Sequence, residues 1–401
     1  MEKLIVKNFG PIKHAEIELR KYVVFIGDTS TGKSVLAKLI SIFRDFDLFR
    51  NKDYFSNFMN LLNKYNIDFY NKDSIVNYYD SDLIIEISNF NVKINQEIDL
   101  NIEIDLIEES LKKSKEIIEL YELIEKEDFI DKKEDLIKSK KELLESHNSF
   151  ESLYLKTKKL LHNKDRTIYI PAERILYSLI GNSIAGLWAN NISLPDCYKE
   201  FAGRFEVARK NIKKVSYNMF NFEYNYENGN DEIFFSNIKL SLSKTSSGIQ
   251  SLIPLLLVID NVLNLTDNIN KIILIEEPEL NLYPIKQKKL VDYLIKKINH
   301  TDHKLIITTH SPYILSVLDT LMLAKNTFNE NLDLKKEINA IVPESNWIDY
   351  EDISVYEVRE DGKVYSIKNE EYKSIDTNAI DNVSDIISEE FDKLTELRYA
   401  H

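Results

Sequence analysis

The sequence predicts an α/β fold with a mixed, mainly parallel sheet at its core, on three observations. Tyr22–Ile26, Lys271–Ile275 and Lys304–Thr309 are apolar, β-rich runs without alternation, the pattern of strands buried on both faces. Stretches of helical periodicity lie between such runs, which implies right-handed βαβ units. A glycine-rich loop separates Tyr22–Ile26 from the helical run that follows it.

Each element has its own signal. Leu4-Ile5-Val6 is an apolar run, and Ala15–Leu19 alternates apolar and polar residues as a half-buried strand does. Asn8-Phe9-Gly10-Pro11 supplies the turn between them. Val35, Leu36, Leu39, Ile40 and Phe43 recur at helical spacing. Residues 45–80 give a mixed signal, and short alternating runs over 82–104 suggest strands. From Leu106 to Leu161 Lys, Glu and Leu dominate, Gly and Pro are absent, and Ile117, Leu120, Leu123 and Ile124 keep helical spacing. This predicts an inserted α-helical arm, too short for a long coiled coil. Thr167–Ile170 is a strand ended by Pro171, and Ile249–Leu263 is a long apolar helix. Ile353–Val358 and Lys363–Ile367 flank Glu360-Asp361-Gly362, a hairpin signal. An amphipathic helix is expected over Ala379–Leu397. The resulting division is an N-terminal lobe over 1–104, the arm over 105–165, a C-terminal lobe over 166–330 and a small α/β extension over 331–401.

Composition narrows the function classes. With 43% hydrophobic and 29% charged residues the chain can bury a full core. No run reaches the length of a bilayer span; the nearest, Leu252–Leu263, is short and contains Asp260. The start, Met1-Glu2-Lys3, enters a strand pattern directly and does not read as a signal peptide. One cysteine, Cys197, excludes an intramolecular disulfide and a multi-thiolate zinc site. A cytoplasmic protein is expected. The net charge of −14 disfavours tight nonspecific DNA binding by the whole chain. Arg209, Lys210, Lys213 and Lys214 form a local basic patch that reads as a solvated helix face.

Four motifs carry chemistry. Gly27-Asp28-Thr29-Ser30-Thr31-Gly32-Lys33-Ser34 matches the phosphate-binding loop pattern G-x4-G-K-[ST]. Its glycines let backbone N–H groups turn inward, the following helix adds its dipole, Lys33 reaches the β- and γ-phosphates, and Ser34 offers a hydroxyl to Mg²⁺. Ile272–Ile275 runs into Glu276-Glu277-Pro278. At a strand's carboxyl end Glu276 is placed to hold a Mg²⁺-bound water and Glu277 to act as the general base on attacking water. An aspartate is the usual residue at the first of these positions; Glu276 reaches about one methylene further. Leu242-Ser243-Lys244-Thr245-Ser246-Ser247-Gly248-Ile249-Gln250 opens a helix and reads by itself as a helix cap or as a second anion-binding tip; its place 28 residues before Glu276, where ABC-class ATPases carry their signature, makes Ser247, Gly248 and Gln250 the candidate ligands. Leu305–Thr309 ends at His310, which can hydrogen-bond the γ-phosphate and hold the attacking water. ATP and Mg²⁺ are the implied substrate and cofactor.

Together these residues resemble the ABC-class ATPases of the SMC, RecF and OLD (overcoming lysogenization defect) group, most nearly compact OLD-like AAA-type ATPases of bacterial genomes and anti-phage systems. The likeness rests on Leu4–Ile12, on Tyr169-Ile170-Pro171-Ala172-Glu173-Arg174 and on Glu276–Pro284, and covers residues 1–45 and 165–320. It implies a P-loop ABC-ATPase head that forms a head-to-head homodimer. The Ser247-Gly248 signature of one subunit would cap the γ-phosphate bound by the other. The signature reads Ser-Ser-Gly-Ile-Gln rather than Leu-Ser-Gly-Gly-Gln, and Tyr283 stands where relatives often have His. No glutamine stands out as a Q-loop residue; Glu173 and Arg174 fit either a site role or a structural ion pair. OLD nucleases also carry a C-terminal TOPRIM domain, and the last 90 residues offer no Asp-x-Asp pair of that kind, although Asp352, Glu357, Glu360 and Asp361 lie there. The expectation is therefore an ATPase without its own nuclease centre, controlling a separate effector such as a nuclease in anti-phage defence. The alternative is a RecF- or SMC-like maintenance ATPase that binds DNA directly.

Overall fold

A computed structural model describes residues 2–49, 53–81, 83–95, 167–181, 194–264, 270–376, 388–396 and 398. The predicted arm over 105–165 lies outside them. In chain order the described strands include β1 (Lys3–Phe9), β2 (Ile12–Glu18), β3 (Tyr22–Ile26), β4 (Ile75–Tyr79), β5 (Ile84–Ser88), β6 (Asn91–Ile94), β7 (Thr167–Ile170), β8 (Lys214–Tyr217), β9 (Phe222–Glu227), β10 (Asn230–Phe235), β11 (Ile238–Ser241), β12 (Ile272–Glu276), β13 (Lys304–Thr309), β14 (Ile353–Val358) and β15 (Val364–Ser366). The helices used below are α1 (Lys33–Phe43), α2 (Tyr54–Lys64), α3 (Ile175–Ile180), α4 (Asp196–Ile212), α5 (Ser247–Leu263), α6 (Pro284–Ile298) and α7 (Pro312–Glu330).

The central sheet has the order β15-β14-β3-β13-β12-β7, and all of it is parallel except β15. Strand alternation divides the core in two. Val24, Ile273, Ile275 and Ile307 face one cluster with α5, α6 and α7; Val23, Phe25, Leu274 and Ile306 face the other with α1, α2 and the β1 sheet. The predicted fully buried runs are therefore buried on both sides, each by a different layer. A second sheet, β2-β1-β4-β5-β6, and a third, β11-β10-β9-β8, are antiparallel. In β2 the alternating residues Ala15 and Ile17 are buried while Glu16 is exposed, as one covered face requires.

The segment read as a small α/β extension contributes two strands to the main sheet. β14 lies parallel to β3, with Val355 opposite Val24 and Glu357 opposite Ile26. Nearly all of β14 is buried, so its run is that of an inner strand. The Glu360-Asp361-Gly362 turn then sends β15 back antiparallel along it, with Gly362 at φ +80°. The mixed region 45–80 resolves into a short 3₁₀ turn at Phe46–Phe49, then α2 and β4.

Helix α5 contains Pro254, which lacks the N–H that would bond the carbonyl of Gln250. The Ser178 hydroxyl of α3 donates to that carbonyl instead, at 2.6 Å. Asp260, which interrupts the apolar run of α5, is also buried. It accepts from Tyr217 at 2.9 Å, from Tyr293, and from Lys297 at 2.8 Å. A buried carboxylate needs such partners. Of the basic patch, Arg209 is buried on Asp231 at 3.0 Å and on Glu206, while Lys210 pairs with Glu206 and Lys214 with Glu223. The Arg209–Asp231 pair braces α4 against the third sheet. No helix among the described residues is long and apolar enough to cross a membrane.

Candidate active site

The parallel strands of the central sheet end on one side, and the chemistry gathers there. The phosphate-binding loop joins β3 to α1. Gly27 takes φ +154° and Gly32 φ +110°, and a side chain at Gly27 would meet the Val358 carbonyl at 2.2 Å. Only glycine fits there, because the last residue of β14 closes on the loop. Asp28, Thr29 and Ser30 are exposed; Thr31, Gly32 and Lys33 are buried; Ser34 is half-buried. The Thr31 hydroxyl donates to the Asp28 carbonyl at 2.9 Å, and Thr29 N–H donates to the Asp28 carboxylate at 2.6 Å. Helix α1 has no side-chain cap and no acidic residue in its first turn, so its N–H tip stays open to an anion.

Lys33 curls into the loop. Its ammonium donates to the carbonyls of Gly27 at 3.1 Å and Asp28 at 2.7 Å, and lies 3.4 Å from His310 Nδ1. Burial pushes its pKa down, while Glu277 and Asp28 pull it back up. Across the imidazole, His310 Nε2 is 3.2 Å from Glu277 Oε1. Lys33, His310 and Glu277 therefore form one chain of contacts between three strand ends.

The two adjacent glutamates differ in environment. Glu277 and His310 are each about 30% exposed, at 29% and 32%. Glu276 is buried at 4%. Burial raises its pKa; the nearby Lys38 and the hydroxyls of Tyr169 and Ser34 oppose that rise. Tyr169 donates to Glu276 Oε2 at 2.7 Å. Glu276 Oε1 is buried with no protein hydrogen-bond partner. An orphaned buried carboxylate oxygen beside a serine hydroxyl suits a hard divalent cation. No group of three or more His, Cys, Asp or Glu able to hold a metal occurs among the described residues. Mg²⁺ commonly binds through one or two protein oxygens plus phosphates and water, so the residues present fit Mg²⁺ with a nucleotide.

Glu277 sits at φ +43°, a left-handed backbone that a non-glycine residue rarely takes. Its N–H donates to Thr308 O at 2.8 Å. Its carbonyl accepts from Arg174 Nη2 at 2.8 Å. Arg174 resolves the choice left open by the sequence. It is fully buried and donates to the carbonyls of Pro171, Glu276, Glu277 and Ser251, and to the Ser251 hydroxyl. It works through carbonyls rather than through an ion pair, tying β7, β12 and α5 together. Burial brings its pKa down to about 10, which leaves it charged at neutral pH. Glu173 instead accepts from Tyr198 at 2.6 Å.

Two further residues escaped the sequence reading. Tyr169 looked like one apolar residue of a buried strand. Glu279 accepts from the Thr309 hydroxyl at 2.7 Å and from His310 N–H at 2.8 Å, and so fixes the backbone under the histidine. Only the density of acids after β12 hinted at it.

The signature stands apart from this cluster. Ser246 stands at the N-cap of α5 without a side-chain capping hydrogen bond, Ser247 is exposed, and a side chain at Gly248 would lie 2.9 Å from the Asn281 carbonyl. Among the described residues no hydrogen bond joins Ser247 or Gly248 to the phosphate-binding loop. Gln250, expected to face the phosphate, is buried, and its amide donates to the carbonyls of Ser243 at 2.8 Å and Thr245 at 3.0 Å. It holds the loop's shape, because those carbonyls have no helical partner.

Residues 183–315 match the family profile of the AAA ATPase domain, about a third of the chain. No curated protein matches by sequence. Similar solved structures include the Smc head domain of Pyrococcus furiosus with an extended coiled coil, bound to the C-terminal domain of ScpA. It has 12% identity and a TM-score of 0.36 over 97% of this chain and 99% of that one. The SMC head domain from Thermotoga maritima has 12% identity and a TM-score of 0.36 over 79% and 90%. The recombination mediator protein RecF, as RecF-ATPrS in the RecFOR pathway, has 12% identity and a TM-score of 0.31 over 91% and 97%. The matched segment carries the signature helix, the strand-end glutamates and His310; the phosphate-binding loop precedes it. The chain is an α/β protein whose residues 183–315 match the AAA ATPase domain, with a phosphate-binding loop pattern ahead of that segment.

Proposed function

We propose that this chain binds Mg·ATP at the Gly27–Ser34 loop and hydrolyses it with Glu277 as general base. The observation that carries the reading is the contact chain Lys33–His310–Glu277. Lys33 leaves its loop carbonyls to meet the β- and γ-phosphates, and the backbone N–H groups of residues 27–34 surround them. Ser34 and Glu276 would hold Mg²⁺, which when bound neutralises phosphate charge. Glu277 accepts the proton of the attacking water, and His310 keeps that water and the γ-phosphate in place. Arg174 and Glu279 hold the backbone on which both act.

Ser247 and Gly248 serve the nucleotide of a second copy in this reading, in a head-to-head homodimer. The exposure of Ser247 and the open tip of α5 support it. The dimer would drive a separate effector, with anti-phage defence as the setting, which rests on the resemblance of the motifs. Co-purification with the products of neighbouring genes tests that setting; a chain that joins none of them counts against it.

The chemistry is tested by phosphate release from Mg·ATP. Glu277→Gln should cut turnover by roughly 10²- to 10³-fold, the cost of losing one transition-state group. It should also trap an ATP-bound dimer visible by light scattering. Lys33→Ala should abolish nucleotide binding or turnover. Unchanged turnover in Glu277→Gln would remove Glu277 as the base.

A further inference from the structure

We propose that Tyr169 is a positioning residue that selects which oxygen of Glu276 is offered to the metal, and that the pair Tyr169–Glu276 does the work of a shorter aspartate. This rests on the reading of Ser34 and Glu276 as the Mg²⁺ site. In the central sheet Tyr169 lies opposite Leu274, so its ring and the Glu276 side chain project on the same face. The ring is held on two sides. Tyr65 packs edge-on at 5.7 Å and 87°, and Lys38 Nζ stands 5.9 Å from the ring centroid. The hydroxyl therefore has a fixed address and donates to Glu276 Oε2 at 2.7 Å. With Oε2 engaged, the buried and unpartnered oxygen is Oε1. Ser34 lies against the same carboxylate.

A glutamate at the end of a strand has one more rotatable bond than an aspartate and can swing away from a metal. A hydrogen bond from a rigid donor removes that freedom, as residues that support a ligand from behind commonly do. An aspartate here would retract the carboxylate by about 1.5 Å, the length of one carbon–carbon bond. It would leave the tyrosine beyond hydrogen-bond reach. The two residues should then be coupled: the tyrosine hydroxyl matters only while residue 276 is a glutamate.

The test is a double-mutant cycle read by metal binding rather than turnover. Mn²⁺ is titrated by electron paramagnetic resonance into the full chain with a non-hydrolysable ATP analogue. Tyr169→Phe keeps the ring and removes only the hydroxyl. It should weaken Mn²⁺ roughly tenfold or more, in the range seen when a ligand's support is removed. Affinity for the analogue in EDTA should stay the same. In the Glu276→Asp background, adding Tyr169→Phe should change Mn²⁺ affinity by less than about twofold, as expected when one partner of a pair is already lost. Three results would overturn the proposal: unchanged Mn²⁺ affinity in Tyr169→Phe, an equal loss in both backgrounds, or a matching loss of metal-free analogue binding. If Ser34→Ala leaves wild-type Mn²⁺ binding intact, the metal site itself is misplaced, and that failure is distinct from the other three.

Discussion

Replacing Arg174 by methionine keeps the volume and removes donors to four carbonyls and one hydroxyl. Those oxygens then lose a buried charged donor, and each one left unpaired costs about 1–3 kcal/mol. Arg174→Met should lower stability by about 3 kcal/mol or more in urea unfolding. It should also depress turnover in any protein that remains folded, because the Glu277 carbonyl is released. The left-handed backbone at Glu277 is maintained only while neighbours over-determine it. A variant with full stability would show that the clamp is not needed. Glu279 acts on His310 in the same way. Glu279→Ala should lower kcat while nucleotide affinity in EDTA holds, and Glu279→Gln, which keeps an acceptor oxygen, should restore most of the loss. Equal kcat in all three proteins would rule out a positioning role.

At the scale of elements, two close approaches set the loops. Gly27 meets the carbonyl of Val358, so the phosphate-binding loop depends on a strand that follows it by more than 300 residues. Gly27→Ala combines a 2.2 Å clash with a left-handed φ and should prevent the loop from closing, measured as loss of nucleotide binding with a lowered melting temperature. Gly248 meets the Asn281 carbonyl at a milder 2.9 Å, and that carbonyl lies in the turn leading to α6. Gly248→Ala should cost about 1–3 kcal/mol as overpacking does and leave the chain folded. ATP-dependent dimerisation should fall, because the signature and that turn must part to admit the methyl group. Dimers of wild-type stability in this variant would remove the signature from the interface.

Across the whole molecule, the central sheet is closed only by the segment after residue 342. β14 covers one edge of β3, and without it the inner strand bearing the phosphate-binding loop becomes an open edge. Truncation before Ile353 should yield insoluble or unfolded protein. Truncation after Asp376 leaves every strand of the central sheet in place, and its melting temperature should match that of the full chain. A folded, nucleotide-binding chain ending before Ile353 would show that β14 is dispensable.

Local signals were enough where chemistry and conformation coincide. Glycine spacing with Lys33 and Ser34, apolar runs ending in Glu276-Glu277 and in His310, and the glycine turn before β15 each leave a mark within a few residues, because a tight turn or a strand end is a local event. Contacts between distant segments leave no such mark. Tyr169 on Glu276, Arg174 on Glu277, Glu279 beneath His310, and β14 beside β3 join residues from 31 to 331 positions apart. Gln250 reads as a ligand by its place in a motif, yet the carbonyls that claim its amide become visible only once the loop has folded back on it. The α/β class and the candidate residues of the loop and strand ends could be read from order along the chain. The tertiary structure alone decided which buried groups hold those residues still, since hydrogen-bond partners in a core are chosen by packing and not by order along the chain.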